Sequence, residues 1–460
     1  MTPHETGDGN ESLNLPWSRS GRRVPRLIVR PLQQFLRTEA SSGILLLAAA
    51  VGALIWANVA AGSYDRAWHT ELTVGVGRWD ISQDLRHWVN EAAMAVFFFV
   101  VGLEIKREFV SGELREPRVA ALPAIAAAGG MVLPALVYLA INGGGAGSRG
   151  WGIPMATDIA FAVGVLALVG RGLPSSIRLF LLTLAIVDDI GAILVIAIFY
   201  SGSVAPAALA TAAGLLALMV LLRRIQVRSG PLYLLLGAGV WLAVFESGVH
   251  ATLAGVALAF VTPAVAAQRP RAVSHEAHRI ADETTDDPNP PDADASQWLH
   301  LAGLSREAVS PLARLEHALH PWTSFLIVPA FALANAGVRL SAAGLEKASA
   351  LKVAVGVLAG LVVGKTVGIS LGAYLGDRSR LARLPRGTSM SSVVGAGSLG
   401  GIGFTVSLFI ANLAFEDATL LDAAKLGILV GSLVSAVLGS AILVRSRSRP
   451  GTTAPADAGP

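Results

Sequence analysis

Apolar residues in this chain gather in runs of roughly 18–25, the length at which an α-helix crosses about 30 Å of hydrocarbon. About twelve such runs follow one another, and each predicts a membrane-spanning helix. Spans I to XII run roughly over 41–62, 88–107, 119–141, 152–170, 177–200, 206–222, 231–245, 248–266, 321–337, 352–376, 391–414 and 421–444. The expected architecture is an all-α polytopic membrane protein. Its parts are an N-terminal cytoplasmic extension (1–36), spans I–VIII within 37–266, a long loop (267–305), spans IX–XII within 306–444, and a C-terminal cytoplasmic tail (445–460). The loop contains ADETTDDPNPPDADA, an acidic, Pro-rich composition expected to be disordered. Between spans I and II, Leu72, Val74 and Val76 alternate with Thr73 and Gly75, which predicts an external β-hairpin.

Lys and Arg orient the spans, because cytoplasmic loops are enriched in both. The N-terminus carries Arg19, Arg22, Arg23, Arg26, Arg30 and Arg37. Loop II–III carries Lys106, Arg107, Arg115 and Arg118, loop IV–V Arg171 and Arg178, and loop VI–VII Arg223, Arg224 and Arg228. The VIII–IX region carries Arg269, Arg271, Arg279, Arg306 and Arg314. Loop X–XI has Arg378, Arg380, Arg383 and Arg386, and the C-terminus Arg445, Arg447 and Arg449. Alternate loops are poor in basic residues, so an even span count with both termini cytoplasmic is expected. Of 36 Lys and Arg residues, only Lys365 is expected deep inside a span.

Composition agrees with the pattern. The chain is 53% hydrophobic and 15% charged, with mean hydropathy +0.59, whereas soluble domains carry about 25% charged residues. It has no cysteine, which excludes disulfides, thiolate metal sites and thiol catalysis. The net charge of +4 is no nucleic-acid signal, because the basic residues lie at span ends. The first 36 residues lack the apolar core of a signal peptide, so span I is expected to direct insertion.

Four ionisable residues break the apolar runs. Asp188 and Asp189 are adjacent in LLTLAIVDDIGAILVIAIF, Asp158 lies in GIPMATDIAFAVGVLALVG, and Lys365 in VAVGVLAGLVVGKTVGISLGAYLG. Each charge at a helix centre costs roughly 2.5–3.5 kcal/mol on insertion scales, and such residues mark ion or proton pathways. A single buried Asp is often no more than a partner for a helix end. An adjacent pair with a third Asp and a Lys at similar depth is harder to explain structurally. Carboxylate oxygens suit a hard cation such as Na⁺ or Li⁺, and burial favours the protonated form of an acid. The same oxygens then hold a cation or a proton, but not both. Neighbouring helical residues point about 100° apart, so one Asp is free to face the ion while the other meets a partner such as Lys365. Lys365 itself reads equally as a proton carrier or as a fixed countercharge.

Two spans look discontinuous. Span IV holds Gly152, Pro154 and the polar pair Thr157–Asp158; span XI holds Gly395, Gly397, Gly400, Gly401 and Gly403. Unwound backbone at membrane depth survives only where protein or a wet cavity satisfies it. Spans III–V and X–XII are expected to form two three-helix units of opposite orientation, each with its broken helix in the middle, a pattern that points to a transporter binding site. Asp158 is suited to facing helix N-termini and Lys365 to facing C-termini. Span X also has glycine at 356, 360, 364, 368, 372 and 376, one smooth face for close packing. GAGSLG at 395–400 matches a dinucleotide-binding pattern, but no soluble βαβ unit surrounds it.

Further ionisable residues lie at span ends: Glu104, Lys106, Arg107 and Glu108 in VGLEIKREF, Glu316, His317 and His320 in RLEHALHPW, and His250 in SGVHATLAG. Composition alone reads them as juxtamembrane charge. Clustered histidines also titrate near neutral pH.

The segments VGLEIKRE, ATDIAFA, LAIVDDIGAI, SGVHATLAG, RLEHALHPW, FALANAGV, GKTVGI and GGIGFTVSLFI, in this order across roughly 37–444, resemble the NhaA family of Na⁺/H⁺ antiporters. Inverted repeats are an established feature of that family. The resemblance implies a secondary transporter rather than an enzyme, exporting Na⁺ or Li⁺ against H⁺ across a bacterial inner membrane, with no cofactor. It implies that Asp188 and Asp189 form the cation and proton site, Asp189 being the most direct ligand. Thr157 and Asp158 would flank it where spans IV and XI cross, and Lys365 would meet Asp188 and the unwound helix ends. Glu104, Arg107, Glu108, Glu316, His317 and His320 would form a pH-sensing cytoplasmic funnel, with His250 a further pH-sensing candidate. The hairpin near 69–80 would join a homodimer. Two departures bear on the pH set point: the loop before span IX is long and acidic, and Ala313 stands where a basic residue is expected. The alternatives are the same fold carrying another ion or a Na⁺-coupled solute, a passive channel, and an intramembrane aspartyl protease, whose Gly-x-Gly-Asp signature is absent.

Overall fold

A computed structural model describes residues 39–447, except 77–78, 171–172, 203, 228, 284–291, 340–346, 380–381, 383 and 385–387. The expected extension 1–36, most of the tail, and Arg171, Arg228, Arg380, Arg383 and Arg386 lie outside the described residues.

The chain is helical almost throughout. Helix α1 (Glu39–Val59) leads through the short α2 (Ala61–Trp68) into strands β1 (Glu71–Val76) and β2 (Trp79–Asp84). These pair antiparallel, from Glu71 opposite Asp84 to Val76 opposite Trp79, so the hairpin reaches four residues beyond its expected end. Helix α3 (Leu85–Ser111) contains a π-turn over Val89–Ala93. It is followed by α4 (Pro117–Asn142), a 3-10 segment (Ser148–Met155), α5 (Ile159–Val169), α6 (Ser175–Phe199), α7 (Pro206–Arg224), α8 (Gly230–Glu246) and α9 (Thr252–Val261). Next come α10 (Pro270–Glu283), α11 (Asp292–Glu307) and α12, which runs through Pro311–Trp322, a π-turn at Thr323–Ile327 and Val328–Asn335. Helix α13 (Ala348–Arg378), with a π-turn at Gly360–Gly364, precedes α14 (Met390–Leu399), α15 (Phe404–Ala414) and α16 (Ala418–Arg447).

Among the described residues, seven helices are long and apolar enough to cross a membrane, or nine spans if each bent pair counts as one. Helices α8 and α9 are shorter and apolar. With α12 they occupy the stretches expected for spans VII, VIII and IX. Apolar side chains such as Leu234 and Leu433 project outward from α8 and α16, at 78% and 65% exposure, as a lipid-facing surface requires.

Two expectations change. The loop 267–305, expected to be disordered, contains α10 and α11, packed together through Val273, Ile280 and Leu301. Val273, Ala277 and Ile280 recur at helical spacing, a local period that average acidity conceals. The acidic, Pro-rich stretch 284–291 lies outside the described residues. Lys365 is also not alone: Lys425 is 3% exposed within α16. That helix starts at Ala418 rather than near 421, which carries Lys425 two turns inside it.

The glycine face of α13 lies on α4. A Cβ at Gly368 would come within 2.3 Å of the Gly129 carbonyl oxygen, and one at Gly129 equally close to that of Gly368. Only hydrogen at these positions permits such backbone contact. One core joins α1, α3, α12, α15 and parts of α6 and α13; a second joins α4, α5, α6, α13 and α14. Each broken helix divides between them: the 3-10 segment and α15 join the first core, α5 and α14 the second.

Candidate ion-binding site

Both breaks occur where sequence punctuation placed them. The 3-10 segment and α5 meet at a 41° bend around Ala156–Asp158, and α14 and α15 at a 49° bend around Gly400–Gly403. The unwound stretches touch: the Asp158 N–H donates to the Ile402 carbonyl at 2.6 Å. The broken helices therefore cross backbone to backbone.

Asp158 serves two helix starts. Its Oδ1 accepts from the Phe161 N–H at 3.0 Å, capping α5. Its Oδ2 accepts from the Thr405 N–H at 3.1 Å and the Thr405 hydroxyl at 2.7 Å, at the start of α15. Helix N-termini carry unpaired N–H groups and partial positive charge, which a carboxylate satisfies.

At the opposite helix ends the contacts reverse. The Thr157 hydroxyl donates to the Gly400 carbonyl, just past the end of α14, at 2.7 Å. Lys365 Nζ donates to Thr157 Oγ1 at 3.1 Å and to Asp188 Oδ2 at 2.5 Å. Lys365 thus reaches the carbonyl end of α14 through Thr157 rather than directly. The four side chains Thr157, Asp158, Asp188 and Lys365 are at most 3% exposed, and Asp189 is 7% exposed.

The two carboxylates of α6 differ. Asp188 is engaged through Oδ2, while its Oδ1 has no hydrogen-bond partner among the described residues. Asp189 Oδ1 is also buried without a partner. A buried polar atom left unpaired is costly, and two such acidic oxygens on adjacent residues beside one ammonium form a local receptor for positive charge.

The family model described as Na⁺/H⁺ antiporter 1 matches residues 33–443. A Na⁺/H⁺ antiporter NhaA of Oleidesulfovibrio alaskensis is 47% identical over 427 residues, covering 91% of this chain and 94% of that protein. Antiporter NhaA 2 of Sorangium cellulosum is 45% identical over 425 residues, covering 92% and 91%. The chain belongs to the NhaA family of Na⁺/H⁺ antiporters.

In this NhaA-family chain the charged cluster at the end of α3 assembles only in part. Arg107 pairs with Glu316 and stands 3.6 Å from Glu108 and 3.9 Å from Glu104. His317 and His320 are exposed on α12 and make no side-chain bond to these groups among the described residues. His250 is not brought to the cluster. It stands 3.6 Å from Glu91 and within 2.9 Å of the Tyr200 carbonyl, at the hairpin end of α3, about 24 Å along the helix from Arg107. Ala313 lies in the first turn of α12, its N–H held by the Ser310 side chain at 3.2 Å.

A cavity of about 620 Å³ opens near this cluster, lined by Glu108, Glu113, Arg115, Glu116, Leu182 and Thr183 among others. Leu182 lies seven residues before Asp189 on α6, so the two share a face about two turns apart.

Three residues make contacts that the sequence does not foretell. Thr405 lies two residues past the glycine-rich break, in the first turn of α15, and that proximity was the available signal. Lys106, read as loop charge, donates to the Phe260 carbonyl at 2.5 Å and to that of Thr262, capping the end of α9. Asn335 has no signal in the sequence, because its partners are remote.

Proposed function

We propose that this protein is a secondary Na⁺/H⁺ antiporter that exports Na⁺, and Li⁺ with it, in exchange for protons. The observation that carries the reading is the pair of unpartnered acidic oxygens on Asp188 and Asp189, set beside Lys365 where the broken helices cross. The names of the relatives, Na⁺/H⁺ antiporters, support the same exchange.

Asp189 is the principal cation ligand. Asp188 is the second, held by Lys365 until Na⁺ competes for its oxygens. Arrival of Na⁺ displaces protons from the group, and arrival of protons displaces Na⁺. Asp158 is a fixed anion that keeps the crossing assembled. Thr157 links Lys365 to the end of α14. If two protons leave for each Na⁺ bound, every cycle moves net charge, and the membrane potential contributes about 2.3 kcal/mol per charge per 100 mV.

Alternating access follows from two inverted units, one of α4, the 3-10 segment with α5, and α6, the other of α13, α14 with α15, and α16. Both termini face the cytoplasm of a bacterial inner membrane. The cavity beside Glu108 is the cytoplasmic approach, and the Arg107–Glu316 cluster with His317 and His320 tunes activity with pH. The hairpin joins a homodimer; Leu72 and Val74 on it are half exposed.

Reconstituted protein is expected to acidify or alkalinise vesicles in response to a Na⁺ gradient. Asp189→Asn is expected to abolish that response. Normal exchange by Asp189→Asn would overturn the assignment.

A further inference from the structure

Two tiers of side chains lie between the ion site and the hairpin end of the bundle. Each tier takes one residue from α3, one from α12 and one from α15. The inner tier is aromatic: Phe409 has ring centroids 5.4 Å from Phe98 and 6.3 Å from Phe331. The outer tier is made of amides. Asn335 Nδ2 donates to Asn90 Oδ1 at 2.8 Å, and Asn335 Oδ1 accepts from Asn90 Nδ2 at 3.4 Å and Asn412 Nδ2 at 3.2 Å. The Tyr64 hydroxyl, from α2 beside the hairpin, donates to the Leu333 and Ala334 carbonyls at 3.0 and 2.9 Å. That contact fixes which end of α12 the amides occupy.

Amides placed between apolar helices require pairing, because an unpaired one is costly. Asn335 is fully buried, and a further bond to the Phe331 carbonyl at 3.0 Å completes its two donors and two acceptor sites. The three bonds that meet there are not equivalent. Asn90 and Asn335 hold each other reciprocally on two unbroken helices. Asn412 belongs to the broken helix, and its Nδ2 has a second acceptor in its own helix, the Leu408 carbonyl at 2.8 Å. Leaving Asn335 breaks one bond and frees one of the two Asn412 N–H groups while the other stays on Leu408, whereas parting Asn90 from Asn335 breaks two bonds. The arrangement is a permanent pair with a detachable third member.

We infer that Asn335 is a positioning residue of the transport cycle: it hooks the hairpin-side half of the broken helix, through Asn412, to α3 and α12, and release of that hook opens the ion site toward the hairpin face. This rests on the alternating-access reading above. While the hook holds, α15 keeps Phe409 seated between Phe98 and Phe331, and the start of α15 stays where Thr405 meets Asp158. When it opens, both tiers part along the same seam.

The absence of cysteine makes the test direct. Met94 lies on α3 one turn below Asn90 and one turn above Phe98, and is 1% exposed. Met94→Cys places a single thiol between the tiers. Its labelling by a membrane-impermeant maleimide is followed in vesicles of both orientations, so the result does not depend on which face is external. Interhelical amide bonds in membranes bias a two-state equilibrium by about three- to twentyfold. Asn412→Ala is expected to raise labelling from the hairpin face by that factor and to leave the other face unchanged. Asn412→Gln, which keeps the amide, is expected to label like the parent. Unchanged labelling in Asn412→Ala, equal acceleration from both faces, or fast labelling in Asn412→Gln would each overturn the proposal. Exchange is measured in the same vesicles. Absence of exchange in the parent would count against the antiport reading and leave the labelling comparison intact.

Discussion

Thr405 gives Asp158 two hydrogen bonds at once, from its backbone N–H at 3.1 Å and its hydroxyl at 2.7 Å, both to Oδ2. One side chain on each broken helix therefore closes the crossing. A hydrogen bond to a charged group contributes about 1.5–3 kcal/mol. Thr405→Val keeps the shape and removes the hydroxyl. Exchange in proteoliposomes is expected to fall by about ten- to a hundredfold, with a lower melting temperature. Thr405→Ser is expected to retain most of both. An unimpaired Thr405→Val protein would show that the backbone N–H alone suffices.

Lys365 and Asp188 are a fully buried ion pair. Removing one partner of such a pair costs about 3–5 kcal/mol, because the other charge is left stranded. Lys365→Met is expected to lower the unfolding temperature sharply in detergent. Lys365→Met combined with Asp188→Asn is expected to recover most of that loss, although not the exchange. Additive destabilisation in the double variant would mean the pair is not coupled.

Gly368 and Gly129 leave no space for a side chain between α13 and α4. Overpacking of a filled interface costs about 1–3 kcal/mol. Gly368→Ala is expected to reduce thermal stability by this amount. The contact is backbone to backbone, so no rotamer change can relieve it. A wild-type melting curve for this variant would exclude the close approach.

Asp417, in the turn before α16, accepts the Thr419 N–H at 2.7 Å. That hydrogen bond holds its carboxyl below the ordinary carboxylate range. A depressed acid stabilises the fold above its unfolded-state pKa, and the benefit disappears as pH falls through the folded one. At pH 7, Asp417→Ala is expected to melt below wild type. As pH falls through the depressed folded-state pKa, the two curves are expected to converge. A gap independent of pH would place the effect elsewhere.

The sequence was most legible where a residue conflicted with its immediate surroundings. Asp158, Asp188, Asp189 and Lys365 stood out because charge in an apolar run is costly, and the breaks at Thr157 and Gly400–Gly403 because glycine and proline interrupt helices. The disorder expected for 267–305 failed for the complementary reason. A mean composition spoke for the whole stretch, while Val273 and Ile280 carried a helical period within it. Lys425 was passed over because a start drawn three residues late placed it near a span end.

By itself the sequence determined that the chain is a bundle of apolar helices, where two of them break, and that Asp158, Asp188, Asp189 and Lys365 lie at depth, though not Lys425. Those properties depend on periods and neighbours within one segment. Only the tertiary structure decided that Thr157 stands between Lys365 and α14, that Thr405 completes the hold on Asp158, and that Asn335 gathers α3, α12 and α15. These contacts join residues from 77 to 247 positions apart. Hydrogen-bond partners at such separations are selected by how helices pack, and no local pattern encodes that choice.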